Sequence, residues 1–76
     1  MSWCVYVQFN NSYDGKAGYV GEWKPGYMPV IIALNETYWY NQITFFPSKS
    51  AATAFAERLV SAYEDRIKYW EITNLE

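Results

Sequence analysis

Apolar and more polar side chains alternate along the first residues of the chain. In SWCVYVQF, at positions 2–9, every second residue from Trp3 to Phe9 is large and apolar. This period of two residues is typical of a β-strand with one apolar face. The next stretch, NNSYDGK at positions 10–16, is rich in Asn, Ser, Asp and Gly, so it predicts a hairpin loop.

Three further strands are predicted before the chain reaches Pro47. Their segments are AGYVGEWK at 17–24, the apolar run VIIAL at 30–34, which suits a central strand, and the aromatic run YWYNQITFF at 38–46. Gly18 and Gly21 interrupt the first of these segments. A glycine inside a strand often marks a bulge or the close approach of another backbone or a ligand, so we expect one of these features there.

One helix is predicted over SKSAATAFAERLVSAYEDRIK, at positions 48–68. Ser48 or Ser50 can cap its first turn. Its apolar side chains recur at helical spacing and form a single stripe, which consists of Ala52, Phe55, Ala56, Leu59, Ala62, Tyr63 and Ile67. The last stretch, YWEITNL at 69–75, alternates again and predicts a final strand.

These elements predict a single α+β domain over residues 1–76. Its architecture has two layers, with an antiparallel or mixed sheet of about five strands and one helix packed on one face, in the order β-β-β-β-α-β. We expect the helix to cover the apolar face of the first strand. Alternation places three residues of the aromatic run on that same face, namely Trp39, Ile43 and Phe45.

Composition argues against catalysis and against a bound metal or cofactor. The chain has no histidine and a single cysteine, Cys4, so the usual general base, zinc-ligand spacings and an internal disulfide are all missing. We expect Cys4 to pack as a small apolar group. Stability must come from apolar burial, for which 51% hydrophobic and 21% aromatic residues provide the side chains. The sequence therefore predicts a protein that is not an enzyme.

The net charge is −2, and the six basic residues are spread along the chain. No basic stripe is present, so this pattern argues against a nucleic-acid partner. The sequence also has no leader pattern and no apolar stretch long enough to span a membrane. We therefore expect a cytoplasmic protein that does not bind membranes.

Aromatic residues on the face opposite the helix are the main functional signal. That face is predicted to carry Tyr6, Tyr38, Tyr40, Phe46 and Tyr69. Tyrosine tolerates water at its hydroxyl and is enriched at interface hot spots, so these rings are candidate partner-binding residues. The alternative is a tyrosine-rich face whose cross-strand pairs only stabilise the sheet.

The glycine-rich segment from Asp14 to Pro29 is the second signal. It contains Tyr19, Trp23 and Tyr27 between its glycines. We interpret it either as a flexible lip that contacts a partner or as an edge hairpin whose aromatic rings fold over the core. In the lip interpretation, these three rings are also candidate partner-binding residues.

The predicted function is that of a non-enzymatic protein-binding module. One sheet, one helix, no catalytic set and an aromatic surface are common among small phage and mobile-element proteins that block a larger host protein, anti-CRISPR proteins among them. The alternative is a binder that sequesters a nucleotide or cyclic nucleotide by aromatic stacking, with Lys16 and Lys24 on its phosphates. A homodimer is a further expectation, because an exposed tyrosine face or an unpaired edge strand can self-associate.

Overall fold

The structure is a computed structural model that describes residues 2–10, 15–33 and 41–75. Its elements are β1 (Trp3–Phe9), β2 (Ala17–Val20), β3 (Ile31–Ile32), α1 (Lys49–Ala62) and β4 (Ile67–Asn74). The four strands form one antiparallel sheet in the order β3-β2-β1-β4. The predicted α+β class, with one helix and an antiparallel sheet, is therefore confirmed. The predicted five strands and their order are not found in the described part of the chain.

The helix packs across β1 and β4 and buries the predicted apolar face of β1. Val5 and Val7 have no solvent exposure, and Phe9 is 2% exposed. On the helix, the stripe that meets them consists of Ala52, Phe55, Ala56 and Leu59. The small alanines let the helix backbone approach the sheet, so the helical period in the sequence correctly identifies this half of the core.

The helix begins as predicted but ends earlier. Ser48 is the N-cap, and its hydroxyl oxygen accepts a hydrogen bond from the Ala51 amide at 3.2 Å. After Ala62 the chain turns at Tyr63, whose carbonyl accepts from the amides of Arg66 and Ile67. Ile67 then pairs with Phe9 as the first residue of β4. Pairing with β1 thus overrides the helical spacing that extended the prediction to residue 68.

The predicted strand over residues 38–46 is wrong for its described part, residues 41–46. This segment is irregular, and it is hydrogen-bonded between the ends of β1 and β2. The Thr44 amide donates to the Val20 carbonyl at 3.1 Å. Phe46 and Trp3 exchange two backbone hydrogen bonds, at 2.8 and 3.1 Å, in an isolated bridge. Residues 38–40 lie outside the described part of the chain.

This insertion reverses the predicted faces of two aromatic-run residues, Phe46 and Ile43. Phe46 lies opposite Trp3 and therefore shares its helix side, with its ring 5.1 Å from that of Phe55. Ile43 packs on the other side of the sheet, and Phe45 is 40% exposed. Strand alternation cannot predict these positions, because the segment follows the backbone partners of β1 and β2 rather than a strand ladder of its own.

Gly18 and Gly21 mark close backbone approaches, as predicted. A Cβ atom on Gly18 would lie within 3.0 Å of the Ile32 carbonyl oxygen, and one on Gly21 would lie 2.7 Å from that of Gln42. The expected central strand near Ile32 is instead short and sits at the edge of the described sheet. The strand β3 can approach β2 this closely because Gly18 has no side chain.

We predict that Gly18→Ala destabilises the protein by about 1–3 kcal/mol, the usual cost of overpacking. The added methyl group meets backbone atoms of Ile32 and Ala33, which cannot move away as a flexible side chain can. Urea denaturation followed by tryptophan fluorescence measures the loss. A change below about 0.5 kcal/mol, the range of ordinary surface substitutions, would mean that β2 and β3 are not this close.

We also predict that Leu59→Ala lowers the free energy of unfolding by about 2–5 kcal/mol, as for other buried leucines. Leu59 has no solvent exposure and lies in the centre of the helix stripe. Glu57→Ala is the matched control, since Glu57 is exposed on the same helix. The control should change stability by no more than about 0.5 kcal/mol. Equal effects of the two substitutions would show that the buried face of the helix is misassigned.

Candidate functional site

Three tyrosines from neighbouring strands meet on the outer face, the face of the sheet opposite the helix. Tyr6 on β1 lies directly opposite Tyr19 on β2 and opposite Glu71 on β4. The Tyr6 ring stands edge-on to the rings of Tyr19 and Tyr69, at centroid distances of 5.9 and 6.3 Å. We call Tyr19, Tyr6 and Tyr69 the tyrosine row. Edge-to-face contacts of this kind hold each ring in a defined orientation.

Polar side chains surround the tyrosine row. Gln8, Glu71 and Thr73 line a shallow, open depression of about 520 Å³ together with the three rings. The Gln8 side-chain amide donates a hydrogen bond to the Tyr6 hydroxyl at 3.2 Å. Because residues two apart on a strand share a face, the alternation of β4 brings Glu71 and Thr73 beside Tyr69. The alternation in the sequence therefore already predicts that these two polar side chains share a face with the Tyr69 ring.

The depression has an acidic character. The pKa of the Tyr69 hydroxyl is raised, first by partial desolvation and then by the neighbouring Glu71 carboxylate, which repels the tyrosinate and accepts a hydrogen bond from the hydroxyl. The side chains that line the depression include one carboxylate and no lysine or arginine. The surface therefore suits a partner that presents hydrogen-bond donors or cationic groups to it.

A small second core closes one end of the outer face. Cys4 has no solvent exposure, and Ile32 and Ile43 pack with it at 5% exposure each. Tyr19 and Leu75 contact the same cluster. Burial raises the pKa of the Cys4 thiol from 9.0 to about 11, so the thiol is protonated at neutral pH. Cys4 is thus the small packed group that the sequence predicted.

The glycine-rich segment is attached to the helix side of the sheet. The Trp23 ring lies 5.8 Å from that of Phe55 and 6.5 Å from that of Tyr63. The Tyr27 carbonyl accepts hydrogen bonds from the Trp23 indole N–H at 3.1 Å and from the Tyr63 hydroxyl at 2.8 Å. These contacts fix the base of the segment on the core, as in the edge-hairpin interpretation.

A tight turn forms the tip of this segment. The Tyr27 amide donates to the Lys24 carbonyl at 3.0 Å, and Gly26 between them has a φ of 89°. Pro25 followed by a positive-φ glycine is the pattern of a type II turn. The turn leaves Tyr27 70% exposed and Met28 44% exposed.

The predicted partner-binding residues are therefore not one surface. Tyr6, Tyr19 and Tyr69 come together on the outer face. Phe46, which was expected beside them, packs on the helix side, where Trp23 and the backbone of Tyr27 are also held. Tyr38 and Tyr40 lie outside the described part of the chain.

The two lysines proposed to contact phosphate lie at opposite ends of β2. Lys16 precedes the strand and lines a shallow depression with Ala17, Ile31 and Ala33. Lys24 follows it, and its ammonium lies 3.8 Å from the Glu22 carboxylate at an exposed position. The geometry does not bring the two ammonium groups together around one anion.

Comparison with protein-family models, with curated proteins and with solved structures finds no match to this chain. Within the described ranges, no three His, Cys, Asp or Glu residues cluster in a way that could hold a metal ion. The described part of the chain contains no helix with the length and apolar character needed to cross a membrane. The functional hypothesis therefore starts from the side chains of the outer face, the face of the sheet opposite the helix.

We predict that the burial of Cys4 makes stability fall at alkaline pH. The folded state holds the thiol proton more tightly than the unfolded chain does, so this stabilisation is complete below pH 9.0 and is lost as the pH rises to about 11. The stability advantage of the parent over Cys4→Ala should shrink across this interval. Urea denaturation of both proteins at a series of pH values measures it.

The same burial should protect the thiol from alkylation. At about pH 8, iodoacetamide should modify the native protein far more slowly than the urea-unfolded protein, because only the accessible thiolate reacts. Equal rates in the two states, or a constant difference in stability between parent and Cys4→Ala, would show that the thiol is accessible in the folded protein.

Proposed function

We propose that this protein is a non-enzymatic binding module that docks onto a larger protein through the tyrosine row and blocks it. The most concrete version is an inhibitor of a host protein of the kind encoded by phages and mobile elements, including the anti-CRISPR genre. The observation that carries the proposal is the row of Tyr19, Tyr6 and Tyr69 across three adjacent strands. Its rings contact one another edge-on, Tyr19 and Tyr6 are half-buried, and Tyr69 is exposed.

The row has the physical properties of a protein-binding surface. Its rings offer apolar area, and their hydroxyls provide hydrogen bonds at the rim. Because edge-on contacts already orient the rings, less side-chain entropy is lost when a partner binds. Cross-strand packing explains why tyrosines occupy these positions, but it leaves Tyr69 47% exposed, with its ring available for contact.

The shape of the depression favours a protein over a small molecule. Small-ligand sites usually enclose most of the ligand surface, whereas this depression is shallow and open along the sheet. The Glu71 carboxylate inside it would repel a phosphate, and Lys16 and Lys24 are at opposite ends of β2. The nucleotide-binding alternative therefore has less support than a protein partner.

The charge of the surface indicates what a partner should present. Glu71 and the tyrosine hydroxyls accept hydrogen bonds, and the chain carries a net charge of −2. An arginine on the partner could stack on the rings and pair with the carboxylate at the same time. We therefore expect the blocked site to be basic, as the substrate-binding sites of nucleic-acid enzymes are.

We predict that replacing Tyr6 and Tyr69 with serine weakens partner binding by at least about 2 kcal/mol, the usual threshold for a hot spot. Affinity capture from cells followed by mass spectrometry identifies partners of the parent protein, and calorimetry with the purified partner gives the affinities. Tyr27→Ser is the matched control, since Tyr27 is an exposed tyrosine on the loop held to the helix side. The control should bind as the parent does.

Three results distinguish the alternatives. A partner that binds the double variant as tightly as the parent would show that the row only stabilises the sheet. Loss of binding in Tyr27→Ser alone would move the interface to the glycine-rich segment. Calorimetric binding of ATP or a cyclic nucleotide that is abolished by replacing Lys16 and Lys24 with alanine, and that weakens steeply with salt, would favour the nucleotide function.

A further inference from the structure

β4 is the longest strand of the sheet and forms its edge. Its only partner within the described sheet is β1, on one side. The Leu75 amide donates to the Ser2 carbonyl, which sets the alternation of the ladder. Leu75, Thr73 and Glu71 therefore direct their backbone groups toward β1, whereas the intervening residues direct theirs away from it. The N–H and C=O groups of Trp70 and Ile72 thus point to the free edge.

This edge has little protection against pairing. Proteins usually block an edge strand with proline, lysine, a bulge or a covering segment. Here the register irregularity is confined to the beginning of β4, opposite Gln8 and Phe9, and the one lysine of the strand, Lys68, lies beside it. The stretch from Tyr69 to Asn74 contains neither proline nor glycine. It presents a regular row of hydrogen-bonding groups.

We propose that two copies of the chain pair antiparallel along their β4 edges, with Trp70 at the two-fold axis. The four-stranded sheets then join into one continuous sheet of eight strands, in the order β3-β2-β1-β4-β4-β1-β2-β3. A two-fold axis makes the contact self-complementary, so the same strand supplies both halves of it. The proposal does not depend on the proposed function, because it concerns self-association alone.

The Trp70 register is favoured because it pairs Tyr69 of each copy with Glu71 of the other. Only residues whose backbone groups point to the free edge can exchange hydrogen bonds across it, so the two-fold axis must pass through a residue of β4 and not between two residues. An axis through Glu71 would place two carboxylates directly opposite each other, which is unfavourable. An axis through Trp70 places Tyr69 of each copy opposite Glu71 of the other. Each hydroxyl then faces a carboxylate on the outer face, twice in the dimer.

The dimer would also enlarge the outer face. Tyr69 is the last ring of the row and lies on β4, so the two rows meet across the two-fold axis. The joined surface carries both copies of Tyr19, Tyr6 and Tyr69. The contact spans residues 67–73 of each chain and ends at the register irregularity beside Lys68. This interface is much smaller than that of a permanent dimer. We therefore expect association to depend on protein concentration.

Amide hydrogen exchange tests the edge directly. With the axis at Trp70, the amides of Trp70 and Ile72 become hydrogen-bonded only in the dimer, so their exchange should slow at least tenfold as concentration rises from monomer to dimer. The Glu71 amide is the internal control, because it faces β1 in both states. Sedimentation equilibrium on the same samples gives the mass. A monomer at every concentration, or unchanged exchange at Trp70 and Ile72 in a dimer, overturns the proposal.

Disulfide cross-linking tests the register. Tyr69→Cys and Glu71→Cys chains are each made in a Cys4→Ala background and distinguished by a tag, with circular dichroism to check the fold. Under mild oxidation, a mixture should form the mixed disulfide dimer much faster than either chain alone forms its own dimer. Rapid cross-linking of Glu71→Cys with itself would place the axis at Glu71. That result, or the absence of faster mixed cross-linking, overturns the Trp70 register.

Discussion

The central position of β1 is the constraint on which the rest of the structure depends. β1 is hydrogen-bonded to β4 on one side, and to β2 and Phe46 on the other. Its residues Cys4, Val5 and Val7 are fully buried, although they face opposite sides of the sheet. A strand from the beginning of the chain is thus paired with one from its end. This long-range pairing fixes the site where the helix can pack.

The path of Thr44 and Phe46 then decides how much of the outer face is covered. By hydrogen-bonding between β1 and β2, this segment places Phe46 under the helix and Ile43 over Cys4. One end of the outer face becomes a small core, and the tyrosine row occupies the other end. In the described part of the chain the helix covers one face of the sheet, and the other face keeps amphipathic tyrosines and polar side chains at the surface.

The outer face and the β4 edge are connected through Tyr69 and Glu71. Both side chains line the tyrosine depression, and both belong to the edge strand. A partner on the face and a second copy at the edge would therefore use adjacent groups. The ring of Tyr69 can stack on a partner, and the carboxylate of Glu71 can accept hydrogen bonds from it.

The sequence by itself determined those features that depend on local periodicity. The alternation of β1 identified Val5 and Val7 as core, helical spacing identified Phe55 and Leu59, and the glycine pattern identified the close approach at Gly18. Three of the predicted site tyrosines, Tyr6, Tyr19 and Tyr69, also lie together on the face opposite the helix, where alternation had placed two of them.

Only the tertiary structure decided the features that depend on contacts between distant segments. Ile67 leaves the helical stripe because Phe9 offers it a strand partner, and Phe46 faces the helix because Trp3 pairs with its backbone. Trp23 faces the core because Phe55 and Tyr63 form a site for its ring. A periodic pattern specifies which side chains share a face of an element. It does not specify which other element packs against that face, because the choice of packing partner depends on contacts across the whole chain.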